Sequence, residues 1–209
     1  MAFFLFPFLA SAQTKVVCVG DSITAGWGLT NARVQAYPAR LQELLGPDYK
    51  VLNYGVSGSC MVKGDRAATY WKSKSFTTAT NSDPQIVIIK LGTNDGDPPR
   101  WRAHKDEFYD DYIAMIHAFR ENGRNPRIYV CYPVPCFGTV KAPQDQTIKT
   151  EVIPLIKKVA EAEGLSIIDF NTAMQPYGSL FPDGIHPNAD GAKIMAEIAY
   201  KAIAPDAPM

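Results

Sequence analysis

The segment "VGDSIT", residues 19–24, sets Ser22 three residues beyond the apolar run "KVVCV", where a strand should end and a helix begin. At such a turn the backbone N–H of Ser22 belongs to the unpaired donors of a helix start, which suits a nucleophile whose product is an anion. A serine hydroxyl attacks only when a base takes its proton, so the chain must also supply a histidine and an acid to orient it. Three histidines are present. His104 and His117 fall in or next to a polar-faced helical segment and read as exposed helical residues. His186 stands in "FPDGIHPNADG", a turn-rich stretch before the last helical pattern, with Asp183 three residues upstream. A tight turn at that spacing brings the carboxylate onto one imidazole nitrogen and leaves the other for the nucleophile.

Acyl transfer also needs donors where the tetrahedral oxyanion develops. "NYGVSG" places Gly58 where a backbone N–H can be approached without a side chain in the way, and "LGTND" offers the Asn94 carboxamide. Taken singly, each is ordinary turn chemistry. Other serine motifs fit less well: "GDSIT" has Thr24 where the G-x-S-x-G elbow needs glycine, and Ser57 in "GVSGS" has the wrong spacing too and reads as a turn residue. A glycine-rich dinucleotide fingerprint is missing after the first strand, and no cofactor or metal is implied.

The elements that must position these residues alternate along the chain. Short runs rich in Val, Ile and Leu at 15–19, 50–53, 86–91, 127–132 and 165–169 read as strands buried on both faces. Helical stripes fill the gaps: Tyr37, Leu41, Leu44 and Leu45; Phe108, Tyr112, Ile116 and Phe119; Val152, Leu155, Ile156 and Val159; Ile194, Met195 and Ile198. This is the pattern of an α/β domain with a parallel sheet between two helical layers. Polar stretches at 55–84 and 133–146 start at carboxyl ends of strands, the edge where ligands bind in open α/β sheets.

The 209 residues fit one domain, read as 13–209. Lys plus Arg equals Asp plus Glu at 21 each, with no basic run, so the charge signature of a nucleic-acid or membrane-surface binder is missing. The apolar block "FFLFPFLASA" ends in the small-x-small pattern of Ala10, Ser11 and Ala12, and residues 1–12 read as a signal peptide too short to span a bilayer, with a secreted or periplasmic product. Cys18, Cys60, Cys131 and Cys136 lack zinc-site spacing. Cys18 and Cys131 read as core, whereas the spacing leaves a Cys60–Cys136 disulfide open.

Together, the strand-end Ser, Gly and Asn and the pre-helix Asp-x-x-His resemble the four blocks of the SGNH (GDSL-type) hydrolase superfamily, over residues from about 15 to 203. That resemblance implies a three-layer α/β/α, flavodoxin-like fold around a five-stranded parallel sheet. It implies Ser22 as nucleophile and first oxyanion donor, Gly58 as second donor with Gly55 as the fallback, Asn94 as third, His186 as base and Asp183 as its orienting acid. "KGDRAATYW" and "LGTNDGDPPRW" are similar to secreted bacterial sialate O-acetylesterase-like or carbohydrate-acetylesterase-like members. The expected substrate is a small-molecule or glycan ester with a short acyl group, with Trp27, Asp97, Arg100 and Trp101 as candidate sugar contacts and no protein partner implied. A lysophospholipase or thioesterase, and a non-catalytic carbohydrate-binding domain, are the competing readings.

Overall fold

The structure, a computed structural model, describes residues 12–204; residues 1–11 of the leader read from the sequence lie outside the described residues. Five strands, β1 (Thr14–Gly20), β2 (Tyr49–Gly55), β3 (Ile86–Lys90), β4 (Arg127–Tyr132) and β5 (Ser166–Asp169), pair in parallel in the order β2-β1-β3-β4-β5. Alternation along the strands divides the core into two halves. Val17, Val19, Val87, Ile89 and Val130 pack on one face with Phe108, Tyr112 and Ile156. Val16, Cys18, Ile86, Ile88 and Cys131 pack on the other with Tyr37, Leu41, Phe170 and Met195. Each face is thereby covered by helices, as an all-parallel sheet requires.

The helices are α1 (Ser22–Ala25), α2 (Ala32–Gln35), α3 (Tyr37–Leu45), α4 (Lys74–Thr80), α5 (Pro98–Arg120), α6 (Ala142–Thr147), α7 (Ile153–Glu163), α8 (Phe170–Met174) and α9 (Ala189–Ile203). A π-helical turn, Ile148–Val152, joins α6 to α7 just before Pro154. Proline inside a helix removes a donor and crowds the carbonyl four residues back, and a widened turn relieves both.

Several sequence expectations shift. β2 is an edge strand, so its residues are only partly covered, with Lys50 and Asn53 exposed. Leu44, on the expected inner stripe, lies in the last turn of α3 beside open space at Gly46 and is exposed. The polar stretch 55–84 is ordered: Cys60 N–H donates to the Ala68 carbonyl (2.7 Å) and Tyr70 N–H to the Cys60 carbonyl (3.0 Å), and α4 follows, capped by the Ser73 hydroxyl. All four cysteines are free and buried. Cys60 is packed in the core on the α5 side, while Cys136 sits in the loop after β4 with its N–H on Asp145, so the two do not meet.

Sheet order reverses between β1 and β3: the chain leaves β1 toward β2 on one side and returns to β3 on the other. The carboxyl ends of these two strands, Gly20 and Lys90, therefore border the crevice of an open α/β sheet. Gly55, at the end of β2, closes it from the far side. A Cβ there would lie 2.2 Å from the Ala25 nitrogen, so glycine is what lets β2 end against α1. That close backbone approach gives Gly55 a packing role.

Candidate active site

The chain enters the site through Gly20, where a Cβ would meet the Thr24 hydroxyl at 2.1 Å and the Lys90 carbonyl at 2.8 Å. Asp21 follows in an extended conformation and its carboxylate accepts the Ile23 N–H at 3.0 Å, capping α1. Ser22 is thus the first residue of a one-turn helix that Gly26 ends in the left-handed conformation. Ser22 is 8% exposed, and its hydroxyl lies 2.8 Å from His186 Nε2.

His186 is held from behind. Its Nδ1 lies 2.6 Å from Asp183 Oδ2, while Asp183 Oδ1 accepts the N–H groups of Ile185 (3.0 Å) and His186 (2.8 Å). Burial pushes the Asp183 carboxyl up, but the main-chain and ring N–H groups of His186 and the Ile185 N–H outweigh it and hold the carboxyl below the usual carboxylate range. An ionised Asp183 fixes the proton on Nδ1 and leaves the Nε2 lone pair toward Ser22. Hydroxyl, imidazole and carboxylate form one relay, which can take the proton of Ser22 as it attacks a carbonyl carbon.

The oxyanion candidates lie on loops stitched to this turn. Val56 N–H donates to the Gly20 carbonyl (2.9 Å), the Asn94 carboxamide donates to the Ser59 carbonyl (2.9 Å), and Asp95 accepts Met61 N–H at 2.9 Å and Val62 N–H at 3.2 Å. Gly58 has a φ of 79°, which favours glycine, and its N–H makes no hydrogen bond among the described residues. With one amide hydrogen on Ser59, Asn94 keeps the second for a ligand.

Beneath the turn lies a contact not read from the sequence. Lys90, at the end of the apolar strand β3, has a fully buried ammonium 3.0 Å and 3.1 Å from the two oxygens of Asp21, itself fully buried, and 2.7 Å from the Thr93 hydroxyl. The Thr93 carbonyl accepts the Gln144 amide at 2.8 Å, which brings in helix α6. A lysine in "IVIIK", inside an otherwise apolar strand, was the signal that could have flagged this pair.

The candidate sugar contacts separate. Trp27 is exposed (54%) and its ring lies 4.3 Å from the His186 ring, at a cavity of about 230 Å³ lined by both, Gly28, Pro182 and Asp183. Trp101 is not available: it is buried at 3%, stacks edge-on with Phe108 and donates its indole N–H to Glu151, because α5 turns it inward. Arg100 is a cross-link, donating to Asp65 (2.5 Å) and the Asn94 carbonyl (3.0 Å), and the Asp97 carbonyl accepts the Trp101 N–H. Trp71 is half-buried with its indole on the Met61 carbonyl. His104 and His117 bond to Glu107 and Glu163 on helix surfaces.

Ser22 on the turn after β1 and the single turn that carries both Asp183 and His186 before α9 come together beside a five-stranded parallel sheet, the arrangement of an SGNH-type fold. Consistent with this, residues 18–194 match the model of the GDSL-like lipase/acylhydrolase family, and the chain belongs to that family. It is 39% identical over 208 residues to an acetylxylan esterase of Xylanibacter ruminicola, an alignment that covers 90% of this chain and 43% of that protein. The chain therefore spans less than half the length of that relative. Its fold is shared with Est24, a carbohydrate acetylesterase from Sinorhizobium meliloti (TM-score 0.75, 20% identity, 92% of this chain and 99% of that one). It is shared as well with the acetyl xylan esterase AlAXEase (TM-score 0.72, 23% identity, 90% and 99%).

Two outcomes check the wiring of the site. Lys90→Met leaves Asp21 buried without its counter-charge, and should lower unfolding free energy by about 3–5 kcal/mol in urea titrations, with Asp21→Asn in the same chain recovering most of it. A loss below ~1 kcal/mol would show that the pair is not a structural requirement. The second concerns Asp95, whose carboxyl burial pushes up to about 6 against the N–H bonds of Met61 and Val62. Because the folded value exceeds the unfolded one, its contribution is present at low pH and is lost as pH rises through about 6. Stability measured relative to Asp95→Asn should fall by about 2 kcal/mol between pH 4 and pH 7; parallel pH profiles would count against a buried, perturbed carboxyl.

Proposed function

We propose that this protein is a serine esterase that removes short acyl groups, acetyl in the first place, from carbohydrates. The observation that carries the reading is the continuous relay from the Ser22 hydroxyl through His186 to Asp183. In the acylation step Ser22 Oγ forms a bond to the ester carbon while its proton passes to His186 Nε2. The oxyanion is held by the N–H groups of Ser22 and Gly58 and the Asn94 carboxamide. Collapse breaks the bond to the sugar oxygen, which leaves with the proton from His186. Water then attacks the acyl-Ser22, again losing its proton to His186; collapse breaks the bond to Ser22 Oγ, which takes that proton back, and acetate leaves the free enzyme.

The short-acyl preference rests on what flanks the oxyanion donors. Met61 and Val62, which follow the Gly58 turn, are buried at 0% and 1% and pack in the core rather than lining a groove. A long acyl chain gains about 0.8 kcal/mol per CH₂ only where an apolar surface receives it. Trp27, exposed beside the imidazole, is the aromatic face on which a sugar leaving group can stack. The names of the similar acetylxylan and carbohydrate acetylesterases support the same substrate class.

The test pairs variants with substrates. Ser22→Ala and His186→Ala should each reduce kcat by about 10³-fold or more in folded protein, whereas His104→Ala should not. Wild-type kcat/KM should fall from p-nitrophenyl acetate through butyrate to octanoate, with acetate released from acetylated xylan. Octanoate as the best ester, with no acetate from the glycan, would replace this reading with a lipid ester hydrolase.

Export is proposed alongside it, supported by the apolar block and Ala10-Ser11-Ala12. Mass spectrometry of the secreted protein should find Gln13 as the new N-terminus; a full-length cytoplasmic product would refute export.

A further inference from the structure

The turn that carries Gly58, residues 56–59, lines a hollow of about 490 Å³ together with residues 66–69. All the charged side chains in its lining are cationic: Arg66, Lys72 and Arg100. Arg100 is already neutralised by Asp65. Arg66 and Lys72 are exposed and neither pairs with a carboxylate among the described residues. The chain as a whole has equal numbers of acidic and basic residues, so two unpaired cations on one wall are a local feature and not the reflection of a basic protein.

We propose that this hollow is a subsite for a sugar carboxylate, and that the preferred substrates are acetylated glycans bearing a uronic acid near the acetylated unit. The inference rests on the reading that the leaving group is a sugar, and deepens it. A carboxylate is the anion that a sugar ring carries as its own substituent, and it matches the planar fork of Arg66 with Lys72 as a second point charge. The residues 56–59 turn is shared by the hollow and by the oxyanion donor Gly58. A glycan whose acetyl carbonyl sits against the Gly58 N–H thus lies against a turn that also forms part of the hollow's wall.

The experiment compares acetate release from two matched acetylated xylo-oligosaccharides, one with a glucuronic acid branch and one without, at low (~10 mM) and high (~0.5 M) salt. The probe variant is Arg66→Gln with Lys72→Gln, both on the surface, with its fold checked by circular dichroism. In the wild type kcat/KM should favour the branched substrate by about tenfold at low salt, the size expected of charge-assisted contacts open to water. The ratio should shrink toward one at high salt and in the double variant. Equal rates on the two oligosaccharides, or a ratio that the double variant leaves unchanged, would overturn the subsite alone. Hydrolysis of p-nitrophenyl acetate with no acetate from either oligosaccharide would instead overturn the sugar-ester reading, and the subsite with it.

Discussion

The fully buried ion pair between Lys90 and Asp21 is the contact on which the rest of the site depends. Two charges removed from water cost several kcal/mol each, and only close pairing with further hydrogen bonds offsets that. Here the offset requires three segments to be in register: the end of β1, which supplies Asp21, the end of β3, which supplies Lys90, and the loop after β3, which supplies Thr93. An apolar pair of similar volume would pack these elements without fixing their mutual orientation. The ionic pair fixes it, because Asp21 also caps the turn that presents Ser22. A shift of either strand by one residue would leave a charge unpaired in the core.

A second layer of wiring joins the loops to each other. Asp95 accepts N–H groups from Met61 and Val62 while its neighbour Asn94 reaches Ser59, so adjacent residues of one loop grip adjacent residues of another. The donors proposed to face a developing oxyanion are thus set in place before substrate arrives. Pre-set donors do not have to reorganise as charge appears, which is the main source of their effect on a barrier.

Much of this was legible in the sequence, for a physical reason. Asp183 and His186 lie in one tight turn, so their contact is dictated by local spacing, and the strands announce themselves because strands buried on both faces must be apolar. What stayed hidden depends on the third dimension. Lys90 has no local partner, and its meaning appears only when β3 is laid beside β1. Trp101 reads as a candidate ligand contact from its place after a strand-end loop, yet helix α5 rotates it into the core against Phe108. β2 has the apolar look of an inner strand, but sheet order puts it at an edge, and order is not encoded in any single strand.

The separation of the relay along the chain has a kinetic meaning. His186 and Asp183 are three residues apart, whereas Ser22 and His186 are 164 apart and meet only across the closed sheet. Loop-closure entropy makes the first contact early and the second late as the chain organises, since distant pairings come after the loops they close. A refolding chain thus acquires an oriented imidazole before it has anything to deprotonate. On the proposed mechanism, hydrolytic turnover reports the final long-range closure, and partly folded chains that already carry native helices remain silent.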